Sequence, residues 1–189
     1  MESPKSTELE LQQLVRMAQG GDCDAFGTLY DLFFDQIYRY TSFRVQEELA
    51  EDLVSDIFVK AWEKLNSYKP QKNVPFGAWL FRIARYTVID SYRSHQTLEE
   101  VPEDIEDEDV FNRAETRVKR KHLLHTVRSA MGELPKKYRD ILELSFMAEL
   151  PNAEIARVLR MREGAVRTQK SRALKKLELL LPPEICEKV

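Results

Sequence analysis

An all-α fold, divided into two small helical units, follows from three observations on this sequence. Apolar residues recur at helical spacing in one stretch after another. No stretch of note alternates with the two-residue period of a strand, and no internal repeat is found. Charge is segregated: residues 1–96 hold 11 Lys+Arg against 14 Asp+Glu, 97–117 hold 2 against 9, and 118–189 hold 16 against 9. Solvated helix faces would account for the overall net charge of -3, but not for a basic last third behind an acidic bridge. That segregation predicts a polyanion partner for the last third alone.

The elements follow in order. Leu9 to Ala18 reads as a short amphipathic helix closed by Gly20-Gly21. Asp22 is placed to cap the next helix, from Cys23 towards Phe34, where Ala25, Phe26, Leu29, Tyr30 and Phe33 share a face that Ile37, Tyr40 and Thr41 continue. Leu49 to Leu65 has the clearest buried stripe: Ala50, Leu53, Val54, Ile57, Phe58, Ala61, Trp62 and Leu65. Tyr68 to Pro75, with two prolines, predicts a loop. Phe76 to Arg93 is helical again, with Phe76, Leu80, Ile83, Ala84, Thr87 and Val88 inward.

Thr97 to Asp109 is almost devoid of apolar residues and predicts a solvated linker. Its 13 residues would span about 43 Å when extended. Helical pattern resumes near Phe111 and runs through Met131, before a corner at Gly132 and Pro135. Lys136 to Met147 then turns Tyr138, Ile141, Leu142 and Phe146 inward. Pro151 to Leu177 reads as two short helices about a tight turn, Arg160-Met161-Arg162, with Met161 plugging between them. Ala153, Ile155, Ala156 and Leu159 form the inner face of the first, and Val166, Ala173, Leu174 and Leu177 that of the second.

Several classes of function are disfavoured. Cys23 and Cys186 are far apart and form no CxxC spacing, which suits a reduced cytosolic protein without a disulfide framework. His122 and His125 could share a helix face, but no Cys or third His lies at zinc-ligand spacing, and no cofactor is expected. No apolar run reaches the roughly 20 residues of a membrane span, and no signal-peptide pattern opens the chain. A soluble, cytoplasmic protein is the expectation.

Three constellations carry functional chemistry. On the outer surface of the last long helix and its preceding turn lie Arg162, Arg167, Thr168, Lys170, Ser171, Arg172, Lys175 and Lys176. Small residues where helices cross, with cations and hydroxyls on the second helix, suit entry into a DNA major groove. Asp52 and Asp56 lie one turn apart on the exposed side of the Ala50–Leu65 helix, either a solvated face or a docking surface for a basic helical partner. In WLFRIARYTVIDSYR, from Trp79, the outer face carries Arg82, Arg85, Tyr86, Ile89 and Arg93. Cations interleaved with aromatics suit single-stranded nucleic acid, though aromatics in the core with solubilising arginines would give the same pattern.

With these motifs in view, the chain resembles an extracytoplasmic-function (ECF) sigma factor of the sigma-70 family, the promoter-recognition subunit of bacterial RNA polymerase. The resemblance covers about Leu11 to Leu181. Gly20-Gly21-Asp22 with Ala25-Phe26 and Leu29-Tyr30 is similar to the opening of the family's first domain, region 2. Ala50-Glu51-Asp52-Leu53-Val54 with Phe58, Ala61 and Trp62 resembles its core-polymerase-binding helix. Phe76 to Arg85, with Asp90 and Arg93, resembles its -10 recognition and melting helix. Leu134-Pro135, Tyr138-Arg139, Glu154-Ile155-Ala156 and Gly164-Ala165-Val166-Arg167 resemble its region 4, which reads the -35 element.

The resemblance implies region 2 over residues 1–96, an acidic flexible linker over 97–117 and region 4 over 118–189. It implies that Asp52, Leu53 and Asp56 face the clamp of the β and β′ polymerase subunits. Trp79, Arg82, Arg85, Tyr86 and Arg93 would lie by the unpaired -10 strand, and Arg162, Arg167, Thr168, Lys170, Ser171, Arg172 and Lys175 by the -35 duplex. The linker Glu99 to Asp109 would thread through the polymerase where nascent RNA later runs. Promoter DNA, core polymerase and an anti-sigma factor are the partners implied. Four departures from the family pattern stand out. Tyr86 sits where many relatives have Asn, and Gln169-Lys170 replaces a more usual Arg and aliphatic pair. Pro151 replaces a Ser or Thr cap. Arg160 takes a turn position often held by Gly, where a positive φ would cost on the order of 1 kcal/mol.

Other readings explain less. A helix-turn-helix repressor would explain the basic last third but not the two earlier motifs, and normally reads paired half-sites as a dimer. An enzyme would need a phosphate loop, metal cluster or nucleophile elbow, none of which is present in the sequence. A helical adaptor would have no use for the basic helix.

Overall fold

A computed structural model describes residues 8–69, 74–95 and 114–186, and within them the chain is helical with no strand. In chain order the helices are α1 (Glu8–Gln19), α2 (Cys23–Arg44), α3 (Glu47–Lys64), a 3-10 turn (Leu65–Ser67), α4 (Phe76–His95), α5 (Ala114–Gly132), α6 (Lys136–Phe146), α7 (Asn152–Leu159), α8 (Glu163–Leu180) and the short α9 (Pro183–Cys186). The acidic stretch predicted as a linker lies outside the described residues, except that α5 begins at Ala114. No helix among the described residues is long and apolar enough to cross a membrane.

Local signals set the ends of the first helices. Gly21, at φ +94, takes the left-handed turn after α1, a region that disfavours any residue with a Cβ. Asp22 then caps α2, its Oδ1 accepting the Ala25 N–H at 3.0 Å. Below these turns, α1 to α4 pack around Val15, Leu29, Ile37, Tyr40, Ile57, Leu65, Leu80 and Phe81. Tyr40 and Phe81 are fully buried and meet edge to face, with ring centroids 5.7 Å apart.

This core does not stop at α4. Ile141, Leu144, Ala148, Leu150, Ile155, Ala156, Val158 and Val166, from α6, α7, α8 and the segment joining α6 to α7, belong to the same buried cluster. A second cluster joins Phe43 of α2 to Met131, Leu134, Leu142 and Ala173. The last helices therefore sit directly on the first ones.

Several inward assignments are corrected. Phe146 is 50% exposed, Leu174 and Trp62 each 39%, and Ala153 is also exposed. Leu144, Val158 and Phe81 take buried places that the sequence reading did not give them. Asp140 and Glu143 of α6 are buried as well, the least expected residues in the core. Pro151 stands at the cap position where the sequence places it, as the extended N-cap residue of α7 with φ -66 and ψ 154.

Candidate nucleic-acid interface

The α7–α8 pair forms the expected helix-turn-helix. Arg160 ends α7 in the left-handed region at φ 55 and ψ 49, its N–H bonded to the Ala156 carbonyl. The Met161 N–H reaches the same carbonyl at 2.8 Å, and its side chain packs half-buried against the core. Val166 and Ala173 fix the inner face of α8. Arg162, Arg167, Thr168, Ser171, Arg172 and Lys175 are exposed, so the basic face is open to solvent. Arg167 makes a long 3.4 Å contact to Glu163, and the Thr168 hydroxyl bonds back to the Gly164 carbonyl at 3.0 Å. Lys170 is the exception: it is half-buried, bonds the Ser145 hydroxyl and lies 4.9 Å over the Phe146 ring.

On α3, Asp52 and Asp56 are exposed, and Asp56 lies 3.8 Å from Lys60 one turn on. Leu53 is buried at 5% exposure, so it supports this face from beneath instead of lying on it.

On α4 the aromatic and basic residues separate. Trp79 is half-buried against Tyr68 and Phe76, with centroids 5.2 and 5.3 Å away. Tyr68 itself is buried, its hydroxyl bonded to the Val74 carbonyl, although its sequence position reads as loop. Tyr86 is 50% exposed and Arg85 lies 5.9 Å over its ring. A groove of about 240 Å³ between α3 and α4 is lined by Lys60, Lys64, Trp79, Arg82 and Tyr86, together with Ile83, Thr87 and Asp90. Lys60 and Lys64 join this site from a helix whose sequence suggested only a protein-docking role. The backbone of Arg93 continues α4, while its side chain lies outside what is described.

The expectation that Arg82 and Arg85 point freely outward is corrected. Arg82 donates to the Arg157 carbonyl of α7 at 2.6 Å. Arg85 pairs with Asp140 of α6 at 2.7 Å. Asp140 also takes Arg44 of α2 at 2.8 Å, and Arg44 contacts Glu143. The Arg44, Asp140 and Glu143 side chains are 8%, 6% and 4% exposed. Burial pushes the Glu143 carboxyl upward, with the touching Arg44 guanidinium pulling against it. Burial likewise works against charge on Arg44, and its interactions with Tyr40, Glu143 and Asp140 more than offset this. Asp140 and Glu143 lie outside the apolar stripe of α6 read from the sequence, and their partners Arg44 and Arg85 are 96 and 55 residues from Asp140.

With this geometry in hand, comparison with known proteins places the chain. Residues 29–97 match the family model for Sigma-70 region 2, and residues 124–177 that for Sigma-70, region 4. The chain is 35% identical over 182 residues to the ECF RNA polymerase sigma factor BldN of Streptomyces coelicolor, covering 95% of this chain and 69% of that protein. It is 28% identical to the ECF RNA polymerase sigma factor SigM of Bacillus subtilis, covering 80% of this chain and 92% of SigM. The RNA polymerase sigma factor CnrH of Cupriavidus metallidurans is 31% identical, covering 89% of this chain and 92% of CnrH. The solved structure of CnrH in complex with the cytosolic domain of CnrY matches this fold with a TM-score of 0.67, over 88% of this chain and 94% of that one. The chain belongs to the ECF RNA polymerase sigma factors of the sigma-70 family, initiation factors through which RNA polymerase starts transcription at specific promoters.

Proposed function

We propose that this sigma factor docks on core polymerase through the exposed Asp52/Asp56 face of α3, reads the -35 duplex with α8 and captures the melted -10 strand on α4. In this reading residues 1–96 and 118–189 act as the two promoter-contacting units, and 97–117 connects them. The cations of α8 divide by position. Arg162, Arg172 and Lys175 neutralise phosphates, whereas Arg167, nearer the helix start and exposed, reads base edges with Thr168 and Ser171. Lys170, held against Phe146, contributes charge from the flank. CnrH was solved with the cytosolic domain of CnrY. By that likeness a protein partner, an anti-sigma factor, belongs among the proposed partners of this chain.

The α3–α4 groove carries the proposal. Two aromatic walls, Trp79 and Tyr86, stand beside three cations, Lys60, Lys64 and Arg82. An unpaired base stacked on an aromatic gains about 1–3 kcal/mol, similar to the few kcal/mol needed to extrude one base. One or two captured bases would therefore tip a polymerase-bound duplex towards the open state without ATP or a catalytic residue.

Tyr86→Ala tests this. Losing about 1–3 kcal/mol of stacking corresponds to roughly a 5- to 150-fold loss of open complex. Polymerase binding should persist, while permanganate-reactive thymines near the start site decline, and a template with a pre-melted bubble should restore transcription. Normal opening on linear duplex would remove Tyr86 from the mechanism.

A further inference from the structure

Between α2, α4, α5 and α6 the surface opens into a cleft of about 470 Å³. That lies within the roughly 300–1,000 Å³ of small-molecule sites. Phe43 and Met131, both buried, and Tyr92, 46% exposed, make one side apolar and aromatic. Arg44, Arg128, Lys136 and Arg139 line the other. None of these residues belongs to the α3–α4 groove or to the outer face of α8.

The charges of this cleft are unequally compensated. Asp140 and Glu143 also line it, and Arg44 contacts both. The other three cations have no carboxylate partner among the described residues. Arg128 donates to the Ser42 carbonyl at 3.0 Å and lies 5.4 Å over the Phe43 ring. Arg139 donates to the Gly132 and Leu134 carbonyls at 2.6 and 3.2 Å. Bonds to carbonyls orient a guanidinium and leave its charge in place. Lys136, at the start of α6, is exposed, and its ammonium has no partner among the described residues.

Two donors in the same walls lack an acceptor. The Nε of Arg44 and that of Arg139 are buried, with no hydrogen-bond partner among the described residues. The Arg44 side chain is only 8% exposed. Buried donors are nearly always satisfied, so each unmet one calls for an acceptor. The Tyr92 hydroxyl donates to the Arg44 carbonyl, which fixes its ring beside them. Burial pushes this hydroxyl up, while Arg44, Arg139 and Arg128 all pull it down, so three guanidiniums surround the end of the ring.

We infer that this cleft binds a nucleoside diphosphate, with the phosphates on Arg128, Lys136 and Arg139 and the base against Tyr92. Phosphate oxygens accept charge-assisted bonds from guanidinium and ammonium groups, about twice as strong as neutral ones. One terminal phosphate, about -1.5 to -2 at pH 7, leaves one of the three cations unmatched, and a second phosphate completes the match. Stacking on an aromatic is tolerant of base identity, so the cleft selects phosphate number ahead of base. The promoter and polymerase contacts proposed above play no part in this inference.

The test titrates the full chain at low salt with ADP, pyrophosphate and adenosine by isothermal calorimetry. ADP should bind with a Kd below about 100 µM. Pyrophosphate, lacking the base, should bind about tenfold more weakly, and adenosine, lacking the phosphates, about 100-fold more weakly. Lys136→Glu, an exposed change that leaves the helical signal intact, should weaken ADP at least about tenfold. Tyr92→Ala should bring ADP down to the level of pyrophosphate. Arg172→Ala with Lys175→Ala on α8 should leave ADP binding as it is. The inference is overturned if ADP does not bind, if pyrophosphate or adenosine binds as tightly as ADP, or if Lys136→Glu has no effect. Loss of binding in the α8 variant overturns it too, because the ligand is then an adventitious anion on the basic helix. Should Tyr92→Ala lose its helical signal, Lys136→Glu decides alone.

Discussion

Asp52→Lys with Asp56→Lys should abolish copurification of this sigma factor with core RNA polymerase and leave its helical fold intact. Both carboxylates are exposed on α3, and the ion pair of Asp56 with Lys60 is long at 3.8 Å. Surface changes of that kind typically move stability by no more than about 0.5 kcal/mol. The apolar stripe beneath them, including Leu53, Val54, Ile57 and Ala61, is untouched. Binding is another matter, because reversing two charges against a basic partner costs several kcal/mol, at least about 100-fold in affinity. Size-exclusion chromatography with purified core polymerase, alongside circular dichroism, reads both quantities. Coelution of the double variant at the wild-type level would sink the docking assignment.

The second large effect is on stability. Phe81→Ala empties a fully buried site against Tyr40 and should cost about 3–5 kcal/mol. At about 2–4 °C per kcal/mol for a chain of this size, the melting midpoint falls by about 10 °C. Phe146→Ala is the control. Its ring is half exposed and lies under the Lys170 ammonium, so the loss should stay near the roughly 0.5–1 kcal/mol of an exposed cation–π pair. Equal losses at the two positions would contradict the burial described here.

These two phenylalanines show where periodicity stops being informative. A single inward stripe describes a helix that packs on one side, and Leu80, Ala84 and Val88 were legible on that basis. α4 packs on two sides, against α2 and α3 and against α7, so Phe81 is buried off the stripe and Arg82 and Arg85 meet protein where the sequence suggested solvent. The opposite error, Phe146 and Leu174, falls on apolar residues that continue a helical period yet stay 50% and 39% exposed. Asp22, the positive φ of Arg160 and the exposed cations of α8 were legible because each depends on residues close in sequence. The buried network was not. Asp140 bonds Arg44 at a separation of 96 residues and Arg85 at 55, and no local pattern connects them.

On the function proposed above, this chain gives core polymerase its choice of promoter, reading one element as duplex and the other as a captured strand. Transcription of fragmented genomic DNA by purified core polymerase, with and without the chain, tests it most directly when the transcript 5′ ends are sequenced. Discrete start sites should appear only with the chain and share two upstream sequence blocks at fixed spacing, near -35 and -10. Start sites that are unchanged by the chain, or that share no such pair of blocks, would contradict it.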